Sequence, residues 1–204
     1  MMNRRDVLKF AVSASAVSAL LPSVANSSEK ESTELRIVDT NVSLFHWPFR
    51  RLPLDEVELL VANYQRLGIK QAWAGTFEGV LHRDVASANQ RLADACLKHS
   101  ELVPIGSVNP ELPGWEEDLR CCHQKHSMPG IRLHPNYHGY SLDDPRFEQL
   151  LTLTTAAGLF VQLATTIEDG RTQHPQLQVP DVDLVPLADV VRRIPEARVQ
   201  LLNY

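Results

Sequence analysis

The chain has 204 residues, of which 44% are hydrophobic and 22% are charged, a composition typical of one globular domain with a buried core. A formal net charge of -5 without a basic run excludes the electrostatic surface that nucleic acid or an anionic membrane requires. The three cysteines, two of them adjacent, match neither a disulfide framework nor a zinc motif. We therefore expect a small molecule as the partner, and the oligomeric state stays open.

The N-terminus has the layout of an export signal at residues 1–25. Arg4 and Arg5 precede an uncharged stretch over residues 10–21, which is too short to span a bilayer. The paired arginines resemble the twin-arginine signal of bacteria, which implies export of the folded protein to the periplasm. The alternative is an ordinary basic N-terminus on a cytosolic protein.

After a linker at residues 26–34, short β-rich runs alternate with amphipathic helical runs throughout residues 35–204. Strands are predicted to begin near Ile37, Ala72, Val103, Ile131, Phe160 and Val199. Consecutive starts lie between 28 residues (103 to 131) and 39 residues (160 to 199) apart, which is the length of one strand and helix unit. Strands joined by helical crossovers run parallel.

Two architectures fit this pattern, a (β/α)₈ barrel and a doubly wound open sheet. No glycine-rich phosphate loop follows Val38, and this disfavours the nucleotide-binding form of the open sheet. A full barrel needs about 250 residues. We therefore predict an α/β fold of the (β/α)₈ TIM-barrel type that is truncated at its C-terminus, with about five and a half βα units present.

Polar residues gather at the predicted carboxyl ends of the strands, where the active sites of such barrels lie. Side chains alternate along a strand, so residues two positions apart share a face. This parity predicts that the following side chains point into the barrel mouth: Asp39, Asn41, Ser43, Ser107, Asn109, Arg132, His134 and Asn203.

Arg132 and His134 are the strongest candidate pair. A guanidinium inside a barrel needs an anion, either Asp39 or a substrate carboxylate. His134 and Asp39 are candidate general bases, since either could activate a water molecule. The alternative is a buried Arg132–Asp39 ion pair that joins two strands, with His134 as a core histidine.

Loop residues supply further candidates for substrate binding. Asn136 and His138 lie among aromatic and polar groups suited to a small ligand. His174 lies in a long loop after the fifth strand, and such loops often cover a site.

Three of these strand ends carry recognisable motifs: Asp39-x-Asn41-x-Ser43, Gly106-Ser107-Val108-Asn109-Pro110 and Gly130-Ile131-Arg132-Leu133-His134-Pro135. In these motifs the chain resembles the amidohydrolase-related family of the amidohydrolase 2 type, with the resemblance covering residues 35–203. That family includes metal-dependent decarboxylases and metal-free lactonases. The resemblance implies a barrel enzyme that acts on a small carbonyl or carboxyl compound.

The resemblance also implies that the family's metal ligands are missing. Asn41 and Ser43 stand where the family has its first two histidines, and Gln162 and Asn203 stand where further histidines are common. A neutral amide binds transition metals far more weakly than imidazole does. We therefore expect no metal or other cofactor, and we count these four side chains as substrate-binding candidates.

Three functional hypotheses follow. The first is an exported, metal-independent hydrolase that acts on a small carboxylated lactone, ester or related carbonyl compound, because without a Lewis acid only activated carbonyls are within reach. The second is a catalytically inactive barrel remnant or small-ligand-binding protein. The third is a metal enzyme with relocated ligands drawn from His46, His134, His138 and His174, whose spacing matches no familiar metal motif.

Overall fold

The computed structural model describes residues 36–203, so the predicted export signal and the predicted linker lie outside the described residues. The described elements, in chain order, are β1 Ile37–Leu44, α1 Val57–Leu67, β2 Ile69–Thr76, α2 Glu78–Leu81, α3 Val85–Cys96, β3 Leu102–Pro104, β4 Gly106–Ser107, α4 Trp115–Gln124, β5 Gly130–Leu133, α5 Pro135–His138, α6 Pro145–Ala156, β6 Phe160–Ala164, α7 Leu187–Arg193 and β7 Val199–Leu202. None of the described helices is long and apolar enough to cross a membrane.

All paired strands are parallel, and they follow one another in chain order. β1, β2 and β3 form one set, and β4, β5, β6 and β7 form the other. Ile105 alone separates β3 from β4, and its N–H donates to the carbonyl of Ala74 on β2 at 2.8 Å. β3 and β4 therefore occupy one strand position, so that the described residues contain the six strand positions that the sequence predicts.

The sheet is curved, because side chains of its first and last strands are in contact. Asn41 on β1 donates to Asn203 at the end of β7 at 2.7 Å, and Gln200 on β7 donates to Thr40 on β1 at 3.0 Å. In a flat sheet, five spacings of about 4.8 Å would keep these strands roughly 24 Å apart. The barrel prediction is therefore confirmed, with six strand positions described where a complete barrel has eight.

The helices cover the outer face of the sheet. α6 begins where sequence chemistry predicts, because Asp144 accepts from the N–H of Arg146 and Pro145 stands in the first turn. α1 ends at Gly68, whose φ of 71° is the left-handed conformation that favours glycine. Phe147 and Leu150 of α6 are fully buried in the core against the sheet.

Leu150→Ala is expected to lower the free energy of unfolding by about 2 to 5 kcal/mol, because it leaves a cavity in the core. Leu153→Ala on the same helix is the matched control, since Leu153 is exposed and its loss costs about 1 kcal/mol or less. Urea unfolding of both variants measures the difference. Equal losses would contradict this description of the core.

Candidate active site

A cavity of about 160 Å³ lies at the carboxyl ends of β1, β5, β6 and β7. Half of the lining residues are polar, namely Asn41, Ser43, Arg132, His134 and Asn203. The other half are apolar, namely Phe77, Val80, Ala164, Ile167 and Leu202. The five polar residues are all ones that the sequence predicts at the barrel mouth. The structure therefore brings together the main part of the predicted site.

Arg132 on β5 extends across the barrel interior and is only 2% exposed. Its hydrogen-bond acceptors are all neutral oxygens: Val42 O at 2.8 Å, Gln162 Oε1 at 2.9 Å, Ser43 Oγ at 3.1 Å and Trp73 O at 3.2 Å. Gly75 makes this path possible, because a Cβ there would lie 2.7 Å from the Arg132 Nη1 atom. The guanidinium is thus held firmly, without a neutralising partner.

Arg132 has no ion-pair partner among the described residues, where no carboxylate oxygen lies within 4.0 Å of the guanidinium. Burial lowers the pKa of Arg132 to about 10, and the more distant charge of Asp39 opposes this shift. The side chain is still protonated at neutral pH. A buried, unpaired cation on a cavity wall favours an anionic ligand.

His134 follows β5 and lines the cavity beside Arg132. It is 3% exposed, and its Nδ1 atom is buried without a hydrogen-bond partner among the described residues. Burial lowers the pKa of His134 well below 6.5, and the neighbouring His138 and Arg132 lower it further. The imidazole is therefore neutral at physiological pH and has a lone pair that can accept a proton.

His138 stands behind His134, with 5.8 Å between the two ring centroids, and does not line the cavity. Its Nε2 atom lies 3.1 Å from the carbonyl oxygen of Gly79 in α2. Burial lowers the pKa of His138 to about 4, while its contacts with backbone of α2 act in the opposite direction. The neutral ring of His138 therefore packs behind the cavity and contacts the backbone of α2, which contributes Val80 to the lining.

Amide side chains connect the strands around the cavity. Gln162, which is fully buried, accepts from the Nε of Arg132 at 2.9 Å and donates to Gln200 at 2.9 Å and to the carbonyl of Thr40 at 2.7 Å. It lies below the cavity and does not line it. Asn203 lines the cavity with Asn41, its hydrogen-bond partner. Gln162 therefore orients Arg132, whereas the two asparagines face the cavity.

The prediction that Asp39 points into the mouth is wrong. Its carboxylate accepts from the hydroxyl of Tyr64 on α1 at 2.8 Å and from the N–H of Asn41 at 2.9 Å. The pairing of β1 with β2 has a register shift between Asp39 and Val42, which inserts an extra residue into β1 and reverses the alternation. The alternative ion pair of Asp39 with Arg132 is absent as well, as the contacts of Arg132 show.

Three more predicted residues lie outside the cavity. Asn109 accepts from the N–H of Glu111 at 2.9 Å and shapes the turn before α4. Asn136 donates to the carbonyl of Pro180 at 3.0 Å, in a separate groove. His174 is exposed and stacks on Phe49 with 6.0 Å between the ring centroids.

Sequence reasoning missed the apolar wall of the cavity. Phe77 and Val80 come from the loop and short helix after β2, and Ile167 comes from the loop after β6. Apolar residues in loops have no periodic pattern that points to a site, so nothing in the sequence identified them.

The donor set of this site does not fit a divalent metal ion. The positions that the resemblance aligns with metal ligands carry two asparagines, a serine and a glutamine, and they bind one another or the guanidinium of Arg132. A cation beside Arg132 would also meet a like charge. Within residues 36–203, three ligand-type side chains come together at His46, Asp55 and Glu56, where Arg51 already binds both carboxylates.

The fold and the cavity define a parallel βα-barrel protein with a half-polar cavity at the carboxyl ends of its strands. Residues 48–201 match the family model described as Amidohydrolase. The match covers three quarters of the chain, and the protein belongs to this amidohydrolase family. Among curated proteins, none matches the chain by sequence.

Solved structures share the fold at low sequence identity. The IDCase of Metarhizium anisopliae in apo form has a TM-score of 0.63 and 16% identity, over 82% of this chain and 65% of its own. The 2,6-dihydroxybenzoate decarboxylase from Rhizobium has a TM-score of 0.60 and 14% identity, over 81% and 65%. A 2,6-dihydroxybenzoate decarboxylase complexed with 2,6-dihydroxybenzoate has a TM-score of 0.61 and 14% identity, over 81% and 66%. The chain thus spans about 65% of the length of these proteins.

Proposed function

We propose that the cavity binds a small carboxylate-bearing compound and that the protein hydrolyses an activated carbonyl in it, a lactone or an ester, without a metal ion. The buried Arg132 guanidinium carries this proposal, because it faces the cavity with neutral oxygens as its protein partners. A bound carboxylate would supply the missing negative charge. The complex of one structural neighbour with 2,6-dihydroxybenzoate, a ring carboxylate, supports this ligand class.

The size of the cavity limits the ligand. A cavity of about 150 Å³ holds a benzene ring in a well-studied engineered protein, and this one measures about 160 Å³. The apolar wall of Phe77, Val80 and Ile167 suits a ring, while Arg132 and His134 suit its polar end. Benzoate is therefore a suitable probe of binding.

In the proposed reaction, Arg132, Asn41 and His134 each have a separate role. Arg132 holds the carboxylate, and the amide of Asn41 donates to the carbonyl oxygen that becomes the oxyanion. His134 accepts a proton from water as its oxygen attacks the carbonyl carbon, and returns that proton to the departing alkoxide. We assign no part to Asp39, whose carboxylate is held by Tyr64, or to Asn109.

His134→Gln tests this assignment. Hydrolysis of a carboxylated lactone or ester is expected to fall by about 10² to 10⁴, the usual contribution of a general base. The matched control is His123→Gln on the exposed face of α4, which should keep full activity. Unchanged turnover in His134→Gln would contradict the mechanism.

Metal independence has a separate test. Protein purified without a histidine tag is expected to contain far less than one equivalent of zinc, manganese or iron by elemental analysis, and a chelator should leave its activity unchanged. Stoichiometric metal would contradict the conclusion that these side chains do not fit a metal ion. It would favour a metal site built from histidines at other positions.

A catalytically inactive barrel that only binds its ligand is the second candidate function. The low pKa of His134 favours it, because a weakly basic imidazole is a poor proton acceptor. Benzoate binding without turnover of any lactone or ester would support this candidate.

Export to the periplasm remains a further proposal, since the sequence that supports it lies in residues 1–25. Secretion of a reporter protein fused to residues 1–34 tests this proposal.

A further inference from the structure

The segment between β6 and α7 is a closed loop. The N–H of Val182 donates to the carbonyl of Thr165 at 2.9 Å, so residues 166–181 leave the sheet and return to nearly the same point. Such a compact excursion with adjoining ends is an Ω-loop, a form that often carries function. The loop contains neither helix nor strand.

The first residues of this Ω-loop form part of the cavity. Ile167 lines the cavity, as Phe77 does. The amide of Asn203, which also lines the cavity, donates to the carbonyl of Thr166 at 2.6 Å. Movement of residues 166–168 would therefore open one wall of the site.

Glu168 joins the Ω-loop to the loop after β1. It is 6% exposed, and its carboxylate accepts from Trp47 Nε1 at 3.0 Å and from the guanidinium of Arg50. Trp47 is itself buried and packs on Phe77, with 5.4 Å between ring centroids. The carboxylate thus connects the loop to a tryptophan that packs on Phe77, another residue of the cavity lining.

The outer part of the loop has weaker attachments. Residues 169–172 are exposed, and the stacking of His174 on Phe49 takes place at the surface. The hydrogen bonds of Arg171 are to Asp169 within the same turn. Regions with few buried contacts open at low free-energy cost. Asn203 holds Thr166 and Asn136 holds Pro180 at the two ends of the loop, and Glu168 supplies the buried side-chain contacts next to the exposed turn.

We propose that residues 166–181 are a lid over the cavity and that Glu168 is its latch, a positioning residue that holds Ile167 against the ligand through Trp47 and Arg50. This inference rests on the proposed function only for the identity of the ligand. The latch itself is a property of the chain without ligand. Opening of the lid would admit the substrate, and closure would exclude water from it.

Trypsin can measure lid opening directly. Arg171 is the only lysine or arginine between Arg146 and Arg192, so cleavage of the 171–172 bond gives a diagnostic pair of fragments. The N–H groups of Arg171 and Thr172 are hydrogen-bonded within the turn, and cleavage requires this turn to open. The rate of this cut in the native full-length chain, followed by mass spectrometry, reports how often the turn at Arg171 opens, and the change of that rate in variants of Glu168 and Trp47 reports how far the latch restrains it.

Glu168→Gln keeps an acceptor for Trp47 but removes the charge that binds Arg50. It is expected to raise the rate of cleavage at Arg171 about tenfold, the effect of losing one charge-assisted hydrogen bond. Trp47→Phe removes the indole donor while leaving Glu168 in place, and it is expected to act in the same direction. The matched control is Glu196→Gln, an exposed glutamate before β7 that should cleave at the wild-type rate.

Addition of benzoate to the wild-type chain separates this inference from the proposed function. Protection of Arg171 by benzoate together with faster cleavage in both variants would support lid and ligand alike. Faster cleavage in the variants without protection would support the latch and contradict carboxylate binding. Wild-type cleavage rates in both Glu168→Gln and Trp47→Phe would overturn the latch, whatever benzoate does.

Discussion

Arg132→Met is expected to weaken benzoate binding at least tenfold and to abolish hydrolysis of carboxylated substrates. The substitution removes the cationic group of the cavity, and a hydrogen bond to a charged partner contributes about 1.5 to 3 kcal/mol. Methionine is unbranched and shorter than arginine, so it remains compatible with the narrow path beside Gly75. Titration calorimetry on both proteins measures the change.

In that experiment, an effect of the substitution on folding must be separated from its effect on benzoate binding. Arg132→Met leaves the Gln162 side chain and two backbone carbonyls without their donor, which is expected to cost about 1 to 3 kcal/mol. The folded fraction is therefore checked by circular dichroism. Arg120→Met, which removes an exposed cation from α4, is the matched control and should bind benzoate as the wild type does. Equal affinities in all three proteins would contradict the role of Arg132.

Acidification from pH 7.5 to 5 is expected to destabilise the chain strongly through its two buried histidines. Burial lowers the pKa of His138 from 6.5 to about 4, so between these values the unfolded chain binds a proton that the folded chain does not. The stability that His138 contributes is therefore complete above pH 6.5 and is lost as the pH falls toward 4. At pH 5 the loss from His138 alone is about 2 kcal/mol, and His134 adds to it in the same direction.

His138→Gln isolates this effect, because glutamine can still donate to the Gly79 carbonyl but does not titrate. Urea unfolding at pH 7.5 and at pH 5 should show a smaller loss in His138→Gln than in the wild type, by about 2 kcal/mol. If the wild type and His138→Gln lost the same free energy of unfolding between pH 7.5 and pH 5, His138 would not be buried as a neutral group.

The sequence predicts the fold well because its signals are local and repeated. Strand starts near Ile37, Ile131 and Phe160 follow from apolar runs, and proline or glycine marks the ends of α1 and α6. The pairing order of the strands then follows from parallel crossovers. These features depend on short-range chemistry that a single chain displays directly.

The site is only partly predictable for the opposite reason. Parity along a strand located Arg132 and His134 correctly, because β5 is regular. It failed for Asp39, because a register shift in β1 depends on pairing with β2 and has no signature in the residues themselves. The contacts of Glu168 with Trp47 join positions 121 residues apart, and no sequence pattern indicates them.

The most direct test of the central claim is the affinity of the wild-type chain for benzoate beside that of benzamide, measured by titration calorimetry. The two ligands have nearly the same shape and differ in charge. If the buried guanidinium of Arg132 binds an anion, the cavity should bind benzoate at least tenfold more tightly than benzamide. The reason is that a hydrogen bond from the guanidinium to a carboxylate is stronger than one to a neutral amide. Equal affinity for the two, or a preference for benzamide, would contradict the assignment of this site to a carboxylate.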